Sequence, residues 1–170
     1  KTFRDAGKRC VAWSDAYTNK EYMLASYCGE VHLAPAGSAI VTGLAVTQTY
    51  YSGTFEKLGI TANFEHVGDF KSAVEPYERT GPSEAAAEAT NHRLDSLYGQ
   101  LLEVVAESRD IELEAADGLV NDPAMTPSVA QEQGLVDALS YRDELTESLW
   151  GDDAHTKLRD YMRDMRRDWA

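Results

Sequence analysis

Positive charge is scarce in this sequence: 16 Lys and Arg stand against 29 Asp and Glu, a formal net charge of −13. That shortage argues against a nucleic-acid binder, because phosphate contacts need a basic surface. It also implies repulsion of anionic partners. Long apolar runs are missing too. Nothing approaches the ~20 apolar residues that cross a bilayer, and the opening KTFRDAGKRC lacks the charged-then-apolar layout of a signal peptide. Membrane attachment would therefore need an anchor outside these residues. Cysteine occurs only as Cys10 and Cys28. With no CxxC pair and no clustered histidines, the pattern argues against a zinc site. Whether the two cysteines are bonded, and in which compartment, stays open at this point. The common catalytic signatures are absent as well: no GxSxG, HExxH, GxxxxGK[ST] or GxGxxG occurs. The histidines His32, His66, His92 and His155 are scattered, which favours structural or exposed roles. No cofactor is called for.

What is present is ordinary globular composition, 43% hydrophobic and 26% charged over 170 residues, enough for one domain with a real core. Residues 1–150 read as that domain and 151–170 as a helical tail. KTFRDAGK reads as the last turns of a helix stopped at Gly7, so the domain is expected to lack its first elements. RCVAW and EVHLAP read as short strands, the second stopped by Pro35. Between them TNKEYMLASYC reads as a helix. SAIVTGLAV is the most apolar run, a bent strand or loop around Gly43. A helix is expected from about Thr47 to Leu58, closed by Gly59, and then a strand over ITANFEHV. Strands alternating with helices imply an α/β fold with parallel pairing and right-handed crossovers.

Beyond residue 80 the pattern is helical. Ser83 is placed to cap a helix with Glu84 in its first turn. Leu94, Leu97, Tyr98, Leu101, Val104, Val105 and Ser108 give that helix a core-facing stripe. A short helix ending at Gly134, a brief apolar segment and an amphipathic helix over YRDELTESLW follow. In the tail, Leu158, Tyr161, Met162, Met165 and Trp169 form an apolar stripe, expected to pack against this domain or a second copy.

The chemistry turns on HVGDFKSAVEPYE, where Lys71 lies between Phe70 and Ser72. A lysine that acts as a base must be neutral, so its pKa has to fall from about 10.4 towards 7–8, at a cost of about 4 kcal/mol. Desolvation or a nearby cation must supply that. Local chemistry alone makes a surface lysine the default. A catalytic Lys71 requires Asp69 to face solvent while the lysine stem sinks among Val67, Phe70, Val74 and Tyr77. The serines Ser14, Ser26, Ser38, Ser52 and Ser72 have no flanking glycine pair to mark a nucleophile.

The stretch YMLASYCGEVHLAPAGSAIVTGLAVTQTYYSGTFEKLGITANFEHVGDFKSAVEPYER resembles the bacterial signal peptide peptidase A family in its long, two-half form. The shared elements are Y-x-L-A-S, a strand ending in proline, Y-Y, a K-L-G-I turn and V-G-x-[YF]-K-S-A-V-E-P-[FY]; QGLVDAL resembles the G-L-V-D close of each half. The likeness runs from about Phe3 to Trp150. It implies a Clp protease/crotonase-like spiral of strand–strand–helix units and a serine–lysine dyad, with Lys71 as the general base and either an orienting or a purely local role for Ser72. The family's nucleophile sits in an S-G-G-G-Y-like turn. The matching place here holds Thr18 in YTNKEY, which lacks the glycines that shape an oxyanion hole and is read as structural. The resemblance thus implies the N-terminal half of a bacterial serine peptidase that degrades cleaved signal peptides. A second half of the same protein would bring the serine, other copies would assemble with it, and the soluble domain would sit on the periplasmic side of the inner membrane. On this reading the chain alone is inactive. Two rival readings stand beside it: a non-catalytic assembly or peptide-binding module of the same fold, and a crotonase-type acyl-CoA enzyme, which an acidic chain without a phosphate-binding patch disfavours.

Overall fold

A computed structural model describes residues 6–65, 67–122, 125–151 and 156–167, with backbone alone over 164–167. In chain order the elements are β1 (Val11–Thr18), α1 (Asn19–Ala25), β2 (Glu30–Ile40), α2 (Ser52–Lys57), a 3-10 turn (Ser72–Val74), α3 (Glu75–Glu78), α4 (Glu84–Arg109), α5 (Leu113–Val120), α6 (Pro127–Glu132), β3 (Ala138–Leu139), α7 (Arg142–Trp150) and α8 (Leu158–Arg167). They fall into two units, residues 1–40 with 124–170, and residues 41–123.

The first unit holds a three-stranded sheet in the order β1-β2-β3, parallel throughout. Parallel neighbours need a crossover, and α1 supplies it between β1 and β2. Tyr22 on α1 is fully buried. It meets Tyr17 edge to face at 6.0 Å, and its hydroxyl donates to the Leu135 carbonyl at 2.6 Å, so the ring's polar end is satisfied inside the core. A disulfide joins Cys10, just before β1, to Cys28, just before β2. Both ends of the crossover are thereby tied, and Gly29 N–H donates to the Cys10 carbonyl at 3.0 Å beside it. Arg9 grips Glu30 with two bonds of 2.7 Å.

The register explains why β2 does not stop at Pro35. Ser14 pairs with Leu33, whereas Ala16 pairs with Ser38. Three extra residues of β2 are accommodated opposite Asp15, a bulge in which Pro35 has no ladder N–H to give. Gly37 closes the bulge: a Cβ there would overlap the Asp15 carbonyl oxygen and lie 2.9 Å from that of Ala34. Only glycine lets the two backbones come this close.

After the second unit the chain re-enters this sheet through the G-L-V-D segment. Gly134 takes the left-handed φ of +79° that ends α6 as expected, and Leu135 and Val136 are buried. Asp137 accepts the Val31 N–H at 2.6 Å with its carboxylate and donates its own N–H to the Val31 carbonyl at 2.8 Å. This brings β3 onto β2. YRDELTESLW is helical as expected, forming α7, with the Glu144 carboxylate accepting Tyr141 N–H at 3.1 Å. On α8, Leu158, Tyr161 and Met162 are exposed, so the described part of that stripe is not packed against this domain, one of the two partners expected for it. The Met165 side chain and Trp169 lie outside the described residues, as do the helical turns expected over residues 1–5.

The second unit is helical. Ser83 caps α4, accepting Ala86 N–H at 3.1 Å, and Leu101 and Val105 are buried. Leu97 is exposed, so only the C-terminal part of the expected stripe is in a core. α5, which the sequence pattern did not single out, packs on α4. Between them Asn121 Nδ2 donates to the Tyr98 hydroxyl at 2.8 Å, which donates to Asp117 at 2.5 Å. Two sequence expectations are corrected here. Residues 47–51 are not helical, since α2 begins only at Ser52; its end at Gly59 (φ +67°) is as expected. The described part of ITANFEHV, residues 60–65 and 67, forms no strand. A strand needs a neighbour's ladder, and here Phe64 N–H goes instead to the Glu78 carboxylate at 3.2 Å.

Candidate active site

Lys71 sits in the second unit, in a loop shaped by glycine. Gly68 has φ +97°, a backbone setting that costs other residues strain, and its carbonyl accepts Lys71 N–H at 3.3 Å. Lys71 then opens the 3-10 turn over Ser72–Val74, and the chain passes into α3. Three sets of contacts fix the far side of this turn. Tyr51 N–H donates to the Pro76 carbonyl at 2.6 Å. Tyr77 stacks on Tyr51 and Phe55 with centroids at 5.9 and 6.3 Å, and Phe64 leans on it at 5.8 Å. Glu75, only 7% exposed, accepts Ser83 N–H at 2.9 Å and the Ser83 hydroxyl at 2.5 Å.

The near side is open. Lys71 is exposed, and among the described residues its amine has no hydrogen-bond or ion-pair partner. Asp69 is exposed, as a lysine base requires. The second requirement is not met among the described residues: Val67 is 84% exposed, Phe70 65% and Tyr77 41%, so the lysine stem is not sunk among them. The physical reason is that α3 and its aromatic cluster cover only one side of the turn. Ser72 is half-buried, and its carbonyl accepts Glu75 N–H.

Thr18, His32 and His92 each have their own local setting. Thr18 ends β1 and caps α1: its hydroxyl and its backbone N–H, the latter at 3.3 Å, both donate to the Glu21 carboxylate. Thr18 stands at the N-cap position of α1, where Glu21 accepts its N–H as one half of a capping box, and its hydroxyl is taken up by the same carboxylate. The same bond is the main reason the Glu21 carboxyl is held below its ordinary range. His32 Nδ1 lies 3.0 Å from the Ser140 hydroxyl, a link between β2 and the end of β3. His92 is exposed on α4, while His66 and His155 lie outside the described residues. The sequence reading gave Glu75 no role. The signal was a carboxylate four residues after the lysine in a segment otherwise fit for burial.

A small parallel sheet with a helical crossover, joined to a helical segment that presents an aromatic–lysine–serine turn, fits the Clp-protease-like class of α/β folds. The profile of Peptidase family S49 matches residues 2–154. The chain belongs to that family. Protease 4 of Salmonella typhi is 32% identical over 157 residues, 88% of this chain and 25% of that protein. Serine protease SPPA, chloroplastic, of Arabidopsis thaliana is 29% identical over 143 residues, 84% of this chain and 21% of that protein. Putative signal peptide peptidase SppA of Enterococcus faecium is 30% identical over 107 residues, 63% of this chain and 30% of that protein. The resemblance to signal peptide peptidase A is thus borne out. The chain spans about a quarter of the length of the first of these relatives.

Proposed function

We propose that this chain is the part of a serine–lysine peptidase that supplies the general base, Lys71, while the nucleophilic serine comes from a second half of the same protein. In the reaction the serine oxygen attacks a peptide carbonyl as its proton passes to the neutral amine of Lys71. The resulting ammonium then protonates the leaving amine, and water repeats the cycle on the acyl-enzyme. The observation that carries this reading is the family match together with VGDFKSAVEPY around Lys71, in a chain whose own position for the nucleophile holds a helix-capping threonine. The exposed Val67 and Phe70 beside the lysine support a covering surface brought from outside the chain, which would supply the desolvation that a lysine base needs.

On this reading residues 1–150 form one half of a Clp protease/crotonase-like spiral, and 151–170 lead towards the other half. Substrates are hydrophobic signal peptides bound extended, and the exposed Leu44 and Val46 offer one apolar wall. Other copies assemble with it, and an anchor outside these residues holds it at the bacterial inner membrane. The Cys10–Cys28 bridge favours the periplasmic side, where disulfides persist. The uncovered lysine and the exposed face of α8 favour one second reading, an assembly module that does no chemistry.

A fluorophosphonate serine reagent tests the split. The purified 170-residue chain should take up no label and hydrolyse no peptide ester, whereas the complete protein should be labelled at a serine outside these residues. An adduct on Thr18, or on any serine of this chain, would refute it. An unlabelled, inactive complete protein would favour the module.

A further inference from the structure

We propose that Glu75 is a positioning residue for Lys71: its buried carboxylate grips Ser83 and so ties the lysine turn to the N-terminus of α4. The inference rests on the reading of Lys71 as the base. A base must be held within a fraction of an ångström to be effective, yet the lysine's own loop is exposed and its amine has no partner among the described residues. Order must therefore come from behind the turn. Glu75 follows the 3-10 turn directly, four residues from Lys71, and donates its N–H to the Ser72 carbonyl. Carboxylates are seldom buried without partners, and this one is 7% exposed. It accepts both the N–H and the hydroxyl of Ser83.

The Ser83 hydroxyl is used twice. Its proton goes to Glu75, while its lone pair accepts Ala86 N–H at 3.1 Å in the first turn of α4. A serine cap needs no carboxylate to do its own work. The carboxylate is what connects the cap to the lysine turn, and α4, 26 residues long, is the longest element of the unit. Glutamine replaces it incompletely, because the Ser83 N–H and hydroxyl donate to different carboxylate oxygens and an amide puts an NH2 donor in place of one of them.

The test measures kcat and KM for a peptide ester across pH, in the complete protein. Glu75→Gln should lower kcat by about tenfold with KM within about twofold of wild type, as expected for a loss felt in the transition state. The acid limb of the profile should move to higher pH, because an amine displaced from its dry setting keeps its proton longer. Ser83→Ala should move both quantities in the same direction by less. Glu88→Gln removes a carboxylate from the same acidic concavity without touching Ser83, and should leave kcat and the limb in place; a matching shift there would mean a charge effect and overturn the proposal. Wild-type kcat and an unmoved limb in both Glu75→Gln and Ser83→Ala, with Lys71→Met inactive, would also overturn it while leaving the base reading intact. Full turnover by Lys71→Met would instead sink the base reading. Should Glu75→Gln fail to fold, the limb of Ser83→Ala decides alone.

Discussion

Breaking the Cys10–Cys28 bridge should weaken the sheet-bearing unit by an amount that the structure sets. The bridge spans 18 positions and encloses β1 and the α1 crossover. Closing a loop of that size removes conformational entropy from the unfolded chain, an effect worth about 3 kcal/mol at 25 °C. In a chain of this length each kcal/mol moves the melting temperature by roughly 2–4 °C, so loss of the bridge should lower it by about 6–12 °C. The native contacts at the same place, the Gly29-to-Cys10 bond and the Arg9–Glu30 pair, exist in the folded state either way and do not offset a change in the unfolded state. Differential scanning calorimetry of the oxidised chain, the reduced chain and the double variant Cys10→Ala/Cys28→Ala tests the estimate, alongside thiol titration of the unreduced protein. Thiol titration should find neither cysteine free. Two reactive thiols in the unreduced protein, or three melting temperatures within about a degree, would refute both the pairing and the entropic argument.

Two further outcomes follow from the buried polar contacts and the titrating groups. Tyr22→Phe should cost about 1–2 kcal/mol in chemical denaturation, because it leaves the Leu135 carbonyl without its 2.6 Å donor in a fully buried site; a variant as stable as wild type would show that Tyr22 contributes through its ring alone. Stability should also fall at both ends of the pH range. Glu30, held below its ordinary value of 4.5 chiefly by the hydrogen bond from Arg9, and Glu21, held below it by the Thr18 hydroxyl, add stability above that value and lose it as pH drops through their lower folded values. Tyr98 is raised above its ordinary 10.0, first by burial and then by its bond to Asp117. Its contribution is complete below 10 and is lost as pH rises through the folded value. Melting curves of Glu30→Gln should therefore be flatter on the acid side and those of Tyr98→Phe flatter on the alkaline side; unchanged slopes would refute the assignment.

Where a structural decision is local, the sequence reading matched the fold. Ser83 before an alanine-rich run, Gly59 and Gly134 after helical turns, and the TNKEYMLA pattern each satisfy neighbouring backbone groups, and each falls where expected. The parallel sheet was legible because strand–helix–strand spacing leaves few other solutions. The misses are decisions made at a distance. Pro35 reads as a strand stop, yet β2 runs through it because the bulge opposite Asp15 removes the need for its N–H. ITANFEHV has the apolar content of a strand but lacks a neighbouring ladder. Lys71 was read from its motif, and the motif says nothing of what covers it; Val67 and Phe70 are exposed, so among the described residues the burial that a lysine base would need is not provided. Glu75 was overlooked because its partner, Ser83, comes from the next helix.

The central claim is tested most directly by turnover of a peptide substrate by the complete protein carrying Lys71→Ala. If Lys71 is the base, kcat/KM falls by about a thousandfold while the melting temperature stays within a degree or two, since the side chain is exposed and makes no hydrogen bond or ion pair among the described residues. Turnover within tenfold of wild type in a folded variant would contradict the account.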